Sequence, residues 1–405
     1  MTAPSTRTTP ANGRVAGAPQ GLTLAIAGFL PVLTILSLAP AIPSLLQHFA
    51  ATPHSTVLLP LMVTAPGLMV ALLAPFAGAA VDRFGRRKLI LIATFVYAIA
   101  GMSPLLLHSL PAMFASRLVV GAAECFILII VSALFADYFP VDKRRTWITV
   151  QGLTGPVLGT GSIAAAGALT AFAWNGAFII YAFALPIFLA MLVFMFEPDR
   201  PSTAQETPTV AQDQKAPFPV RAALIYCGVT VFASVIYYVF IVQSGLAFTE
   251  VGVGSSSKLG LLIGLTSLGT PAGAALFNVI SRKLKGPGLI ATLLTFMGVG
   301  MVGMGLSRGV NAMAAFGFVQ QIGAGITVTA LIFWVSQILP PAHRGRGFGF
   351  WSSAFFAGQF LSPLAVGIVR PLAGGILPTF LTLGLVALVG AGSILALGKR
   401  LPRAE

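Results

Sequence analysis

Two ionisable side chains, Arg117 and Glu124, sit seven residues apart inside one apolar stretch, 110–138. No other Lys, Arg, Asp or Glu lies well inside such a stretch. A charge in the middle of a lipid-spanning helix costs about 2.5–3.5 kcal/mol on the insertion scale, so charges of this kind mark functional sites. With a rise of about 1.5 Å per residue, Glu124 falls about 21 Å from the Leu110 end, near the middle, and Arg117 about 10 Å in. Seven residues are nearly two turns, so both are expected to point the same way, into a cavity. Their attraction across about 10 Å, at an effective dielectric of 20, is about 1.7 kcal/mol. Loss of water outweighs that and favours the neutral acid. The expectation is a proton switch, with Glu124 protonated when the site is dry and ionised when it is wet. Two other roles stay open. Glu124 can serve as hydrogen-bonded glue between helices, and Arg117 can pack on backbone carbonyls of the first apolar stretch.

Other polar side chains at mid-stretch positions are candidates to line that cavity: Thr34, Gln151, Tyr237, Gln243, Gln320, Gln321, Trp334 and Gln359. Thr34 lies among Pro31, Pro40 and Pro43, which predicts a bent helix. A glutamine amide in an apolar surrounding needs partners, and ligand pockets are apolar with a few orienting polar groups. One acid, one cation and several amides suit an amphipathic small molecule that is neutral or singly cationic. A phosphate ester or a dicarboxylate would want further cations. Cys125 and Cys227 read as buried thiols. No Cys, His or carboxylate cluster has metal-ligand spacing, so no metal and no cofactor are expected. No nucleophile–base constellation suggests an enzyme.

These residues are set in twelve apolar runs, at 22–47, 55–81, 89–107, 110–138, 146–171, 175–196, 220–248, 258–281, 287–306, 310–338, 347–369 and 375–397. About twenty apolar residues suffice to cross the hydrocarbon of a bilayer as a helix. The 405 residues are 57% hydrophobic and 8% charged, with a mean hydropathy of +0.93. Of the 24 Lys and Arg, 20 fall in alternate exposed segments, counting the N-terminal one first. That is the positive-inside bias, and it predicts a multi-pass protein with both termini in the cytoplasm. The net charge of +14 therefore orients the chain in the lipid bilayer. It does not form the single continuous surface that nucleic acid would require.

Residues 1–21 are polar and lack the features of a cleaved signal, so they read as a cytoplasmic tail. Residues 197–219 form the longest polar stretch between runs and read as a flexible cytoplasmic linker. This divides the chain into six-helix units at 22–196 and 220–398, with a short cytoplasmic tail at 399–405. The units echo one another at an offset near 200 residues: Pro140 and Lys143–Arg145 against Pro340 and His343–Arg346, and Arg83 against Arg282. Parallel repeats related by an axis along the membrane normal are one of the transporter plans.

The segment Gly78-Ala79-Ala80-Val81-Asp82-Arg83-Phe84-Gly85-Arg86-Arg87 resembles the G-x-x-x-D-R-x-G-R-[RK] signature of the major facilitator superfamily. The second-half copy, from Phe277 to Lys285, carries Ser281 where the Asp would stand. Arg117 to Gly121 is similar to the R-x-x-x-G element of proton-linked members. The stretch from Gln151 to Thr160, with Gly155, Pro156 and Gly159, resembles the antiporter element G-x-x-x-G-P-x-x-G-G, although Gln151 and Thr160 replace two glycines. The overall pattern is most similar to the twelve-helix drug:proton antiporter branch. Members often place an acid in the first span; this chain has none there.

The resemblance implies an all-α membrane fold of two pseudo-symmetric six-helix bundles, working as a monomer. It implies a cytoplasmic latch in which Asp82 docks on the start of the eleventh span near Gly347. Arg86 would pair with Asp137, supported by Gly78, Arg83 and Gly85. The expected function is proton-coupled export of a small amphipathic molecule across a bacterial inner membrane by alternating access. Proton symport or facilitated uptake of a nutrient is the first alternative, and a non-transporting membrane sensor or scaffold the second.

Overall fold

A computed structural model describes residues 16–198, 218–284, 286–339 and 343–398; at positions 82, 141, 153, 156, 344 and 345 only the backbone is described. All regular structure among the described residues is helical. Twelve helices are long and apolar enough to span a membrane: α1 Ala18–His48, α2 Ser55–Val81, α3 Arg86–Leu105, α4 Leu110–Tyr138, α5 Asp142–Phe172, α6 Gly176–Phe194, α7 Val220–Glu250, α8 Ser256–Ile280, α9 Pro287–Leu306, α10 Val310–Ile338, α11 Arg346–Ala373 and α12 Ile376–Ala396. Their ends lie within four residues of the apolar runs, because hydrophobic length sets them.

Prolines stand at the breaks of α1 and α8, whereas α2 runs unbroken through Pro60, Pro66 and Pro75. α1 is a chain of short helices, Ala18–Ala27, Leu30–Leu36, Ala39–Ala41 and Ile42–His48, with Pro31, Pro40 and Pro43 at the starts of the last three. Each proline lacks the N–H that would continue the preceding turn. α8 divides into Ser256–Ser267 and Gly269–Ile280. Pro271 cannot donate back to Ser267 there, and the run of apolar residues alone gave no hint of the break.

Packing repeats at an interval of six helices. In the first half α2 packs on α4, α3 on α4 and α6, and α1 on α5 and α6; in the second half α8 packs on α10, α9 on α10 and α12, and α7 on α11 and α12. Two six-helix bundles result, and they meet where α2 crosses α11, α5 crosses α8, and α1 approaches α7. Small residues allow the close approach. A methyl group on Gly167 of α5 would stand 2.7 Å from Cα of Gly260 on α8, and one on Gly67 of α2 would stand 2.8 Å from the Gln359 amide on α11.

The two ends of this assembly differ. One carries the basic segments around Arg86 and Lys143 and is called here the basic end; the other is the far end. At the far end the halves touch: Ser44 Oγ on α1 is 3.1 Å from Ser256 Oγ on α8. The Gly167–Gly260 crossing lies at the same end, and Gly245 of α7 abuts the backbone of Ala39. Toward the basic end α5 and α8 part, leaving a cleft of about 600 Å³ lined by Gly152, Val157, Thr160, Leu268, Pro271 and Asn278. The halves touch at the far end, and on the α5–α8 side they stand apart toward the basic end.

Candidate functional site

Arg117 is fully buried. One guanidinium nitrogen donates to the carbonyls of Ala100 and Gly101, at 2.8 and 2.9 Å. The guanidinium also lies 5.2 Å from the centre of the Phe178 ring and 4.8 Å from that of Tyr181. The two carbonyls belong to the end of the α3 helix, where the backbone dipole is negative and attracts a cation. The aromatic faces of α6 do the same. This corrects two expectations. Arg117 is turned toward α3 and α6 and not into a cavity between the halves, and the carbonyls it holds are those of the third span and not the first. Helical spacing fixes where Cβ points; the long side chain then travels sideways to the strongest acceptors. Replacing Arg117 with Met leaves buried acceptors unpaired, at about 1–3 kcal/mol each. The expected result is a lower melting midpoint in detergent, partly restored by Arg117→Lys. A Met variant that melts like the parent would show that these contacts contribute nothing.

Glu124, on the same helix, is 1% exposed. Its Oε1 has no hydrogen-bond partner among the described residues, and Thr34 of α1 is a neighbour of the carboxyl group. Thr34 Oγ1 stands 2.9 Å from the hydroxyl of Tyr97 on α3. Tyr97 in turn donates to the carbonyl of Leu30 at 2.7 Å. Tyr181 of α6 donates to the Thr34 carbonyl at 3.2 Å and links this group to Arg117 through its ring. Four helices of the first bundle thus converge on one acid. Tyr97 and Tyr181 were not among the candidates from sequence. A tyrosine hydroxyl in an apolar run needs a partner as much as a glutamine amide does, and that signal was available.

At the basic end Arg86 pairs with Asp137 at 2.8 Å. Both belong to the first bundle, on α3 and α4, so this pair ties two helices of one half. The Asp82 side chain lies outside the described residues. Gly347, at the start of α11, accepts from the hydroxyl of Tyr226 at 3.1 Å. Gly85 has φ +88°, which favours glycine, and it reverses the chain between α2 and α3. Gly78 has open space where a side chain would stand, so it makes no close approach here. Arg83 is exposed and lies over the ring of Phe84.

Glu197, read from sequence as part of the linker, is an anchored residue. Its two oxygens accept from the backbone N–H of Arg86 and Arg87, each at 2.7 Å. A carboxylate on two free N–H groups at a helix start is favourable both as a cap and toward the dipole. Arg87 returns the contact by donating to the Met195 carbonyl at 2.7 Å. The sequence signal was an acid just past an apolar run, which composition could not separate from a linker acid.

The remaining candidates make the following contacts among the described residues. Gln151 packs against Gly28 of α1, and Gly159 faces Leu36 and Phe29. Gly155 has open space beside it, and the Pro156 side chain lies outside the described residues. Tyr237 stacks edge-on with Tyr238 and lies near Phe355 of α11. Gln243 lies in a separate crevice at the far end. Gln320 abuts Gly300 of α9. Gln321 donates to Ser267 and Thr270 of α8, at 3.4 and 3.3 Å, inside the second bundle. Trp334 is beside Gly286 near the basic end, and Gln359 lies on Gly67 at the α2–α11 crossing. Most of them are held by local contacts of this kind. The rotation of each helix about its own axis decides which way a polar residue faces, and weakly amphipathic spans do not reveal that rotation.

Comparison with known proteins agrees with this architecture. The sequence profile of the Major Facilitator Superfamily matches residues 24–307. The enterobactin exporter EntS of Salmonella choleraesuis is 26% identical over 403 residues, covering 92% of this chain and 91% of the exporter. YyaJ of Bacillus subtilis, provisionally named for metabolite transport, is 22% identical over 403 residues, covering 89% of this chain and 87% of that protein. Among solved structures the D-xylose-proton symporter superposes with a TM-score of 0.77 at 15% identity, covering 93% of this chain and 96% of the symporter. The chain belongs to the major facilitator superfamily. It is a multi-pass membrane transporter and not an enzyme.

Proposed function

We propose that this transporter exports a small amphipathic molecule, neutral or singly cationic, against inward proton flow, with Glu124 carrying the proton. The halves, about 22–196 and 220–398, rock about the centre by alternating access. The basic end is cytoplasmic, both termini lie there, and the membrane is a bacterial inner membrane. The relatives include an exporter by name, and the Gly155–Pro156–Gly159 element favours antiport. The unit of function is the monomer.

The observation that supports the proton role is the setting of Glu124: a carboxyl 1% exposed, with Oε1 unpartnered among the described residues. An ionised carboxylate there would be buried without a compensating partner, at a high cost in free energy. Thr34 and Tyr97, 2.9 Å apart, both donate to the Leu30 carbonyl, at 3.4 and 2.7 Å, and tie α1 to α3 beside the acid. Rearrangement of α1, already broken on both sides of Thr34, is the motion that would let water reach the acid and take the proton. Arg117, held by α3 and α6, positions Tyr181 beneath the site.

Counterflow in proteoliposomes with a panel of labelled compounds tests the substrate class. Lipophilic monocations and neutral amphiphiles are expected to exchange, and dicarboxylates and phosphate esters are not. Exchange confined to the latter would overturn this reading.

A further inference from the structure

A crevice of about 360 Å³ opens at the far end between α2, α7 and α11. Glu124 is not among its lining residues, and both halves of the molecule form it. Thr56 and Val57, in the first turn of α2, line one side. Gln243 of α7, Val366 and Arg370 of α11, and Gly375 at the start of α12 line the other.

Three features of the lining point to one chemistry. Arg370 brings a cation, and there is no acid among the lining residues. The first turn of α2 and the N-cap residue of α12, Gly375, border the space, and neither helix has a side-chain cap; helix starts of this kind favour anions. Gln243 is 2% exposed, yet its Oε1 has no hydrogen-bond partner among the described residues. A buried amide atom without a partner is costly, so a ligand group that bonds to it is favoured. A hydroxyl fits in either orientation of the amide, because it both donates and accepts.

We propose that this crevice binds a small hydroxycarboxylate, with its carboxylate on Arg370 and its hydroxyl on the Gln243 amide. An occupant touching Thr56 on one half and Arg370 on the other ties the halves together where they are closed. It binds this state in preference to one open at the far end, and so it shifts the population toward the basic-end-open state. The ligand is an anion and is distinct from the transported molecule proposed above. The site therefore regulates transport from the far side of the membrane.

The test uses the full chain in nanodiscs of phosphatidylcholine, with lactate, acetate and chloride as probes. Thermal stabilisation and the rate of disulfide formation between Ser44→Cys and Ser256→Cys are followed together. Lactate is expected to raise both saturably and to bind several-fold more tightly than acetate. Arg370→Gln is expected to weaken lactate at least tenfold, whereas Arg308→Gln, at an exposed far-end cation, leaves it unchanged. Gln243→Leu is expected to erase the preference for lactate over acetate while the variant still folds and binds acetate. Equal responses to lactate and chloride, equal effects of the Arg370 and Arg308 variants, or stabilisation only by added phosphatidylglycerol would each overturn the proposal. The last of these would assign the crevice to a lipid headgroup.

Discussion

Oxidation is expected to stop transport when Ser44 and Ser256 are both changed to cysteine, and reduction to restart it. The two hydroxyl oxygens are 3.1 Å apart across the far-end contact between α1 and α8. A disulfide asks for about 2.0 Å between sulfurs, a small adjustment. The native thiols, Cys125 and Cys227, are first replaced by alanine so that they do not compete. The bond would hold the far end shut while the basic end stays separated. Substrate could then bind from the basic end but not cross. Binding retained with transport reduced to background is the signature of a locked alternating-access carrier. Continued transport by the fully cross-linked protein would mean that the far end need not open along this contact.

The second large effect is expected at Glu124. One charge moving through 100 mV supplies about 2.3 kcal/mol, which corresponds to roughly a fifty-fold gradient of a neutral substrate exchanged for one proton. Glu124→Gln keeps the size of the side chain and carries no charge, so it mimics the protonated acid. Exchange of substrate in the absence of a gradient should persist within a few-fold of the parent. Gradient-driven accumulation should vanish, falling from roughly fifty-fold to equality across the membrane. A variant that accumulates as well as the parent would remove Glu124 from energy coupling. One that neither exchanges nor binds would mean that the residue serves structure or substrate instead.

Much of the fold was legible because hydrophobic length and charge placement are one-dimensional signals. The bounds of α2, α4, α9 and α10 coincide with their apolar runs, since each ends at a polar turn. The bend of α1 was legible from its prolines, but a proline alone does not mark a break: α2 runs unbroken through Pro60, Pro66 and Pro75, while α8 divides near Pro271. The signature around Asp82 carried the family. The direction of side chains was much less legible. Arg117 and Glu124 share a helix face, yet one turns to α3 and α6 and the other to Thr34. What separates them is the reach of each side chain and the acceptors on neighbouring helices, which spacing along the chain does not encode. Glu197 shows the same limit at the surface. Its pairing with the N–H groups of Arg86 and Arg87 joins residues more than a hundred positions apart. Gln243 was assigned to the substrate cavity and lies instead in the far-end crevice, because depth along α7 was read without the tilt and partners of that helix.

Proton movement during substrate exchange tests the central claim most directly. Proteoliposomes loaded with substrate and a trapped pH dye, in weak buffer, report protons and labelled substrate in the same experiment. Downhill substrate flux should drive protons the opposite way in the parent and leave the dye unchanged in Glu124→Gln. Substrate flux in the parent with no proton movement, or with protons travelling alongside the substrate, would contradict export driven by this acid.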